Sequence, residues 1–311
     1  MADAKRVLIT GSTGFVGANL TMELLRQGHE VHSILRQTSN QWRIADILSE
    51  MNIHWLDLSS AQAVQAAVQE IRPQVVFHLA TYGGYPVQQD EQKIIETNIA
   101  GTANLLAAAK KAKPDCFVNA GTSSEYGIKE KAMNETDLLQ PLSFYGASKA
   151  FSTLLCSVAW LADGMPTVTL RLFSPYGYFE EPTRLVPYVT QCFLKGEQPS
   201  LASPKSVRDF VFIEDVVEAF LLASKTENAF GEIINIAGGK QQTVGKVVEL
   251  LHELCNAKTE PRWQAAKPRA NEPKKWVADI AKAKKLLGWK PKHALQQGLQ
   301  KTVEWQRKRI I

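Results

Sequence analysis

The chain predicts an α/β fold, a doubly wound parallel sheet with a smaller, interleaved α/β lobe. Three observations carry that prediction. Short apolar runs alternate with stretches of helical periodicity through the first half, the pattern of parallel strands joined by right-handed helical crossovers. The first run ends in glycines at intervals of three, Gly11-x-x-Gly14-x-x-Gly17. At 311 residues the chain can hold one large domain and a smaller lobe.

Residues 5–10 form the opening strand, and residues 18–26 the helix beyond the glycines. Glycines at such a turn let the backbone bend tightly, approach a pyrophosphate and pack the helix on the sheet. Amides at the helix start, helped by the helix dipole, then hold the phosphates. Further strands are expected at 30–35, 53–56, 74–80, 116–120 and 167–173, with helices at 61–71 and 94–111 among them. Ligands bind outside the carboxyl ends of parallel strands. Gly11, Leu79, Ala80, Thr122 and Ser174 all fall at such ends, so they are expected to meet in one crevice.

The large Rossmann-type domain is expected to span 1–174 and to receive about 209–237, with 209–220 and 232–236 returning to it. The smaller lobe takes 175–208 and 238–311, with a helix at 181–196. Leu299, Val303 and Trp305 mark a last amphipathic helix packed on the body.

The net charge of +5 is modest, and its densest basic segment, after Lys267, reads as a solvated surface rather than a nucleic-acid site. No apolar run reaches about 18 residues and no signal-peptide pattern appears, so no membrane association and a cytoplasmic location are expected. Cys116, Cys156, Cys192 and Cys255 lie far apart without a Cys-x-x-Cys, as reduced core residues do. The six histidines form no ligand cluster, so no catalytic metal is expected.

Tyr145 and Lys149 stand four apart, on one face if this stretch is helical. A tyrosine has an ordinary pKa of about 10. A neighbouring ammonium favours phenolate and brings the group toward general acid–base use.

Gly11-x-x-Gly14-x-x-Gly17, Thr122 ahead of Glu125-Tyr126-Gly127, and Tyr145-x-x-x-Lys149 together resemble the extended short-chain dehydrogenase/reductases that act on nucleotide sugars. The resemblance spans essentially the whole chain, including the Arg208-Asp209-Phe210 segment. It implies Tyr145 as acid or base at the sugar oxygen, assisted by Thr122, with Lys149 on the nicotinamide ribose. For the cofactor it implies Gly11, Thr13, Gly14, Phe15, Val16 and Gly17 at the phosphates. Asp57 and Leu58 would lie beside the adenine, Leu79, Ala80 and Thr81 along the cofactor path, and Asn98, also of the cofactor-binding set, at the family's helix-buried Asn position. For a nucleoside diphosphate sugar it implies Tyr82, Ser123, Ser124, Ser174, Arg184, Arg208 and Arg269, with Arg208 and Arg269 on the pyrophosphate. Ser174 replaces the family's usual Asn. A homodimer through the helices at 94–111 and 143–161 is expected by the same resemblance.

The second strand ends in Leu35 where an NAD-type site places a carboxylate, and Arg36, Thr38 and Ser39 follow. A cation and hydroxyls suit a ribose phosphate. NADP(H) is therefore the expected cofactor, with NAD the alternative. The family's dehydratases carry an acid directly before the residue preceding Tyr-Gly. Here Ser123 and Ser124 occupy the acid positions and Glu125 comes one residue late. The expected reaction is NADPH-dependent reduction of a nucleoside diphosphate 4-keto-6-deoxy-hexose. The alternative is a nucleotide-sugar 4-epimerase holding NAD; a dehydratase or a non-catalytic dinucleotide sensor ranks below both.

Overall fold

Val7, Leu8 and Ile9 are at most 1 % exposed, as a strand must be when helices cover both faces of its sheet. In the computed structural model, which describes residues 4–266 and 272–310, that strand is β1 (Arg6–Thr10), followed by α1 (Phe15–Arg26). Next come β2 (Glu30–Leu35), β3 (Asn52–Trp55), α2 (Ala61–Ile71) and β4 (Val75–His78). Helix α3 (Glu91–Ile94), a π turn over Ile95–Ala100 and α4 (Gly101–Ala112) run on into one another. Strand β5 (Cys116–Thr122), α5 (Phe144–Asp163) and β6 (Thr167–Leu172) complete the first half. The second half contributes β7 (Ser174–Tyr176), α6 (Leu185–Lys195), β8 (Val207–Phe212), α7 (Ile213–Ala223), β9 (Ile233–Ile236), β10 (Gln241–Thr243), α8 (Val244–Cys255), α9 (Ala281–Leu287) and α10 (Leu295–Ile310).

Seven parallel strands pair in the order β3-β2-β1-β4-β5-β6-β9, so the winding reverses between β1 and β4. That reversal opens the crevice in which doubly wound sheets take their ligands. Alternate side chains divide the core. Leu8, Val76 and Phe117 pack with residues of α2, α4 and α5, whereas Ile9, Phe77 and Val118 pack with those of α1 and α7. Helix α5 begins at Ser143, whose side chain accepts from the Gly146 amide, and ends at Gly164 in the left-handed region.

The structure differs from the sequence expectation in two places. Residues 207–212 pair with β7 and β10 in a separate three-stranded sheet, and only α7 and β9 pack on or join the large one. Apolar alternation marks a strand but not its sheet. The helix expected from residue 181 starts at Leu185, leaving 177–184 as an irregular segment. Among the described residues, no helix is long and apolar enough to cross a membrane.

Candidate active site

The Gly-rich turn is shaped by what its glycines exclude. A Cβ on Gly11 would lie 2.5 Å from the Ala80 nitrogen, and one on Gly17 would lie 2.1 Å from the Gly11 oxygen. Helix α1 therefore sits tight against the turn, with Gly14 at its N-cap and no side chain capping its first amides. The amides of Phe15, Val16 and Gly17 are left for an anion. Past the ends of β2 and β3, Arg36, Gln37, Thr38, Trp55, Leu56 and Asp57 line an open cavity of about 310 Å³. Asp57 spends one carboxylate oxygen on the Ser59 amide and hydroxyl, at 2.9 and 2.8 Å. Leu58 is buried and its carbonyl accepts from Asn104. Close glycines, free helix-start amides and this cavity suit a dinucleotide.

The acid–base group lies at the end of β5. Thr122 caps a short 3₁₀ turn, and the Tyr145 phenol stands beside the Thr122 side chain. Burial pushes the phenol up to about 12, against the Thr122 hydroxyl and the Arg184 charge, which favour ionisation. The expected lowering by Lys149 is thus not what the protein alone does. Lys149 is itself buried, which lowers its pKa, and Glu125 is the charge that favours its protonated form. Gly84 lies beside the phenol, since a Cβ there would meet the Tyr145 ring edge at 3.9 Å.

Glu125 holds the centre from behind, a role the sequence reading missed. Its Oε1 accepts from the Thr122 amide at 2.8 Å, and its Oε2 accepts from Thr153 at 3.0 Å and from the Arg171 Nε at 2.8 Å. Glu125 and Arg171 are both at most 1 % exposed. The signal was present in the sequence: Thr122-x-x-Glu125 has capping-box spacing, which turns the carboxylate back onto its own backbone. Ser123 is buried, and the Ser124 amide donates to the Thr122 hydroxyl. No carboxylate from 123–125 therefore points into the crevice.

Asn98 is buried, as expected of the family's helix Asn, and fills its hydrogen bonds within the protein. It accepts from the Tyr82 amide at 2.8 Å and from Thr81, and donates to the Tyr82 carbonyl and to Ser148. It pins the turn after β4 to α5. Leu79, Ala80 and Thr81 follow β4 at the crevice, and Ser174 opens β7 on its far side. Arg184, at the N-cap of α6, reaches over the Tyr85 ring. Arg208 on β8 is ion-paired with Glu272 rather than free. Arg269 lies outside the described residues. Among those described, no group of three or more His, Cys, Asp or Glu side chains could hold a metal ion.

The sequence profile of the NAD dependent epimerase/dehydratase family matches residues 7–237. The chain belongs to this family. Its relatives include an uncharacterised UDP-glucose epimerase, YtcB, of Bacillus subtilis (strain 168), 30 % identical over 94 % of this chain and 95 % of its own. The dTDP-glucose 4,6-dehydratase of Xanthomonas campestris pv. campestris (strain ATCC 33913) is 28 % identical over 96 % of this chain and 92 % of its own. The crystal structure of UDP-glucose 4-epimerase with UDP-glucose from Thermotoga maritima superposes with a TM-score of 0.91 at 28 % identity, covering 98 % of this chain and 99 % of that one. The UDP-glucose 4-epimerase of Thermus thermophilus in complex with NAD gives 0.86 at 30 % identity, covering 97 % and 98 %. As a family member, the chain is an NAD-dependent nucleotide-sugar enzyme of the epimerase/dehydratase kind.

Proposed function

We propose that the protein is a 4-epimerase of a nucleoside diphosphate hexose that keeps its NAD between turnovers. One observation carries the reading: Tyr145 is the acid–base side chain at the end of β5, with Thr122 beside it and no carboxylate from 123–125 directed there. Eliminating water from a hexose needs a second group to move a second proton, and the 123–125 turn supplies none. The UDP-glucose and NAD complexes of similar structures support the ligand pair.

In the forward half, Tyr145 as phenolate takes the proton of the carbon 4 hydroxyl, and Thr122 keeps that oxygen on the phenol. The nicotinamide, when bound, supplies acceptance and return of hydride at carbon 4, and its positive charge favours phenolate. Lys149 would hydrogen-bond the ribose of the bound dinucleotide and supply a positive charge to it. In the return half, Tyr145 gives its proton back to the same oxygen. The keto sugar must turn over between the halves, and the bare Gly84 leaves space beside the phenol for that turn.

The reductase expected from the sequence is the second reading, favoured by Arg36 at the end of β2 and by Ser174. UDP-, dTDP-, CDP- and GDP-linked hexoses incubated with the protein separate the two. Interconversion of gluco and galacto sugars without net change in cofactor absorbance is expected. Stoichiometric NADPH oxidation by a 4-keto-6-deoxy sugar, with no interconversion, would give the case to the reductase.

We propose also that two copies pair through α5. Phe144, Phe151, Leu154, Val158 and Leu161 are exposed at intervals of 7, 3, 4 and 3, one helix face. Such a face is self-complementary about a two-fold axis. Light scattering at micromolar protein should give twice the chain's 34.5 kDa.

A further inference from the structure

Arg43 belongs to no motif of the chain, yet it is only 7 % exposed. A guanidinium taken out of water must find partners, and this one finds them on two separate walls of the crevice. Its Nη1 donates to the Thr13 carbonyl at 3.3 Å, inside the Gly-rich turn. Its Nε donates to the Phe179 carbonyl at 2.7 Å, and its Nη2 pairs with the Glu181 carboxylate at 3.0 Å. Both residues lie in the irregular segment between β7 and α6. Asn19 of α1 adds a donor to the Tyr178 carbonyl at 2.9 Å.

That segment is held under strain. Phe179 has φ +63°, a conformation that a bulky side chain keeps only when its surroundings enforce it. The enforcement is visible. Arg43 stacks 4.4 Å from the Trp42 ring, and Trp42 packs on Phe179 at 6.0 Å. On the other side, Trp305 of α10 meets Phe179 edge-on at 4.9 Å, and Arg309 lies 4.8 Å from both rings. Arg43 is thus the point where the Gly-rich turn, the strained segment and, through the rings, the last helix are joined.

We infer that Arg43 is a latch on the dinucleotide site, holding residues 178–181 against the Gly-rich turn so that bound dinucleotide leaves slowly. Opening the crevice on the α1 side requires breaking the Asn19–Tyr178 bond and one side of the Arg43 bridge, either its Thr13 bond or its Phe179 and Glu181 contacts. A planar fork makes them with little loss of freedom, which a lysine cannot reproduce. The inference deepens the proposed function and rests on its dinucleotide-binding crevice, since retained cofactor is what an epimerase needs.

The test loads the full-length protein with NADH, chases with excess NAD and follows the loss of bound-NADH fluorescence. Arg43→Ala should release NADH at least about tenfold faster than the parent, the change that ~1.4 kcal/mol produces. Arg43→Lys and Glu181→Gln should fall between the two while keeping the parent's thermal midpoint. A merely structural role would lower the midpoints and leave the release rate where it was. Parental release rates in both Arg43→Lys and Glu181→Gln overturn the latch even if Arg43→Ala does not fold. The two readings fail separately: slow, latch-dependent release without sugar interconversion sinks the epimerase alone, while interconversion with latch-independent release sinks the latch alone.

Discussion

The two ends of the crevice are built on opposite plans. Around Thr122, Tyr145 and Lys149, polar atoms are supported by protein: Glu125 takes the Thr122 amide, Thr153 and Arg171, and Asn98 ties the turn after β4 to α5. At the recognition end, which comprises the β8 and β2 sides of that centre, the charges are partly exposed: Arg208 is ion-paired with Glu272, and Arg36 faces an open cavity. A reacting centre has to be fixed before substrate arrives, because misplacement costs rate. A recognition end can leave its charges to be satisfied by the ligand. Substitutions at the first end should therefore cost turnover or folding, and those at the second only affinity.

The largest effect is expected at Tyr145. Tyr145→Phe keeps the ring and removes the proton carrier, so turnover should fall by about 10²–10⁴-fold, the usual contribution of general acid–base catalysis. NADH binding should be unchanged, and full activity of the variant would remove the phenol from the chemistry. Glu125→Ala comes next. It strands the buried Arg171 guanidinium, and breaking a buried pair on one side costs about 3–5 kcal/mol. Denaturant titration should show that loss, and an unchanged midpoint would mean that Glu125 is not the support of the centre.

This contrast also explains what the sequence made legible. The parallel sheet, the Gly-rich turn and the Tyr145–Lys149 helix face follow from local periodicity and spacing, which a single chain displays directly. Residues 61–71 could be read as a helix to the residue because Ser60 caps its start and apolar side chains recur on one face. Residues 207–212 read as a strand, yet their partners lie in β7 and β10, and no local pattern encodes a partner. The raised pKa of Tyr145 is likewise tertiary. Lys149 is its neighbour on the helix, but burial decides. Arg43 was invisible for the same reason, since its partners are 30, 136 and 138 residues away.

A pH titration probes how dry the first end is. His78 lies between Thr10 and Thr102, and burial, aided by the Lys149 charge, holds its imidazole down to about 3. The unfolded chain takes up a proton near the ordinary value of about 6.5, and the folded one does not. Stability from this group is therefore full above that value and is lost as pH falls toward 3, by about tenfold in the folding constant per pH unit. His78→Gln should flatten the slope of stability between pH 6 and 4. An identical slope in the variant would place water at His78 and weaken the contrast between the two ends.

At the recognition end the effects should be smaller and confined to binding. On the proposed reading Arg208→Ala removes one charged partner of the diphosphate, worth about 1.5–3 kcal/mol. The KM for the sugar nucleotide should rise about 10- to 150-fold while kcat holds, the signature of an interaction made equally in ground and transition states. A fall in kcat of the same size would mean that Arg208 also fixes the sugar over Tyr145, and the separation of the two ends would fail there. The smallest effect is expected at Arg36. The end of β2 offers no carboxylate to repel a ribose phosphate, so Arg36→Ala should weaken NADPH by about tenfold, one charged hydrogen bond, and leave NADH unchanged. Equal loss for both dinucleotides would assign Arg36 to the adenine rather than to the phosphate. No loss for either would leave the retained NAD of an epimerase as the single cofactor that this end is shaped to hold.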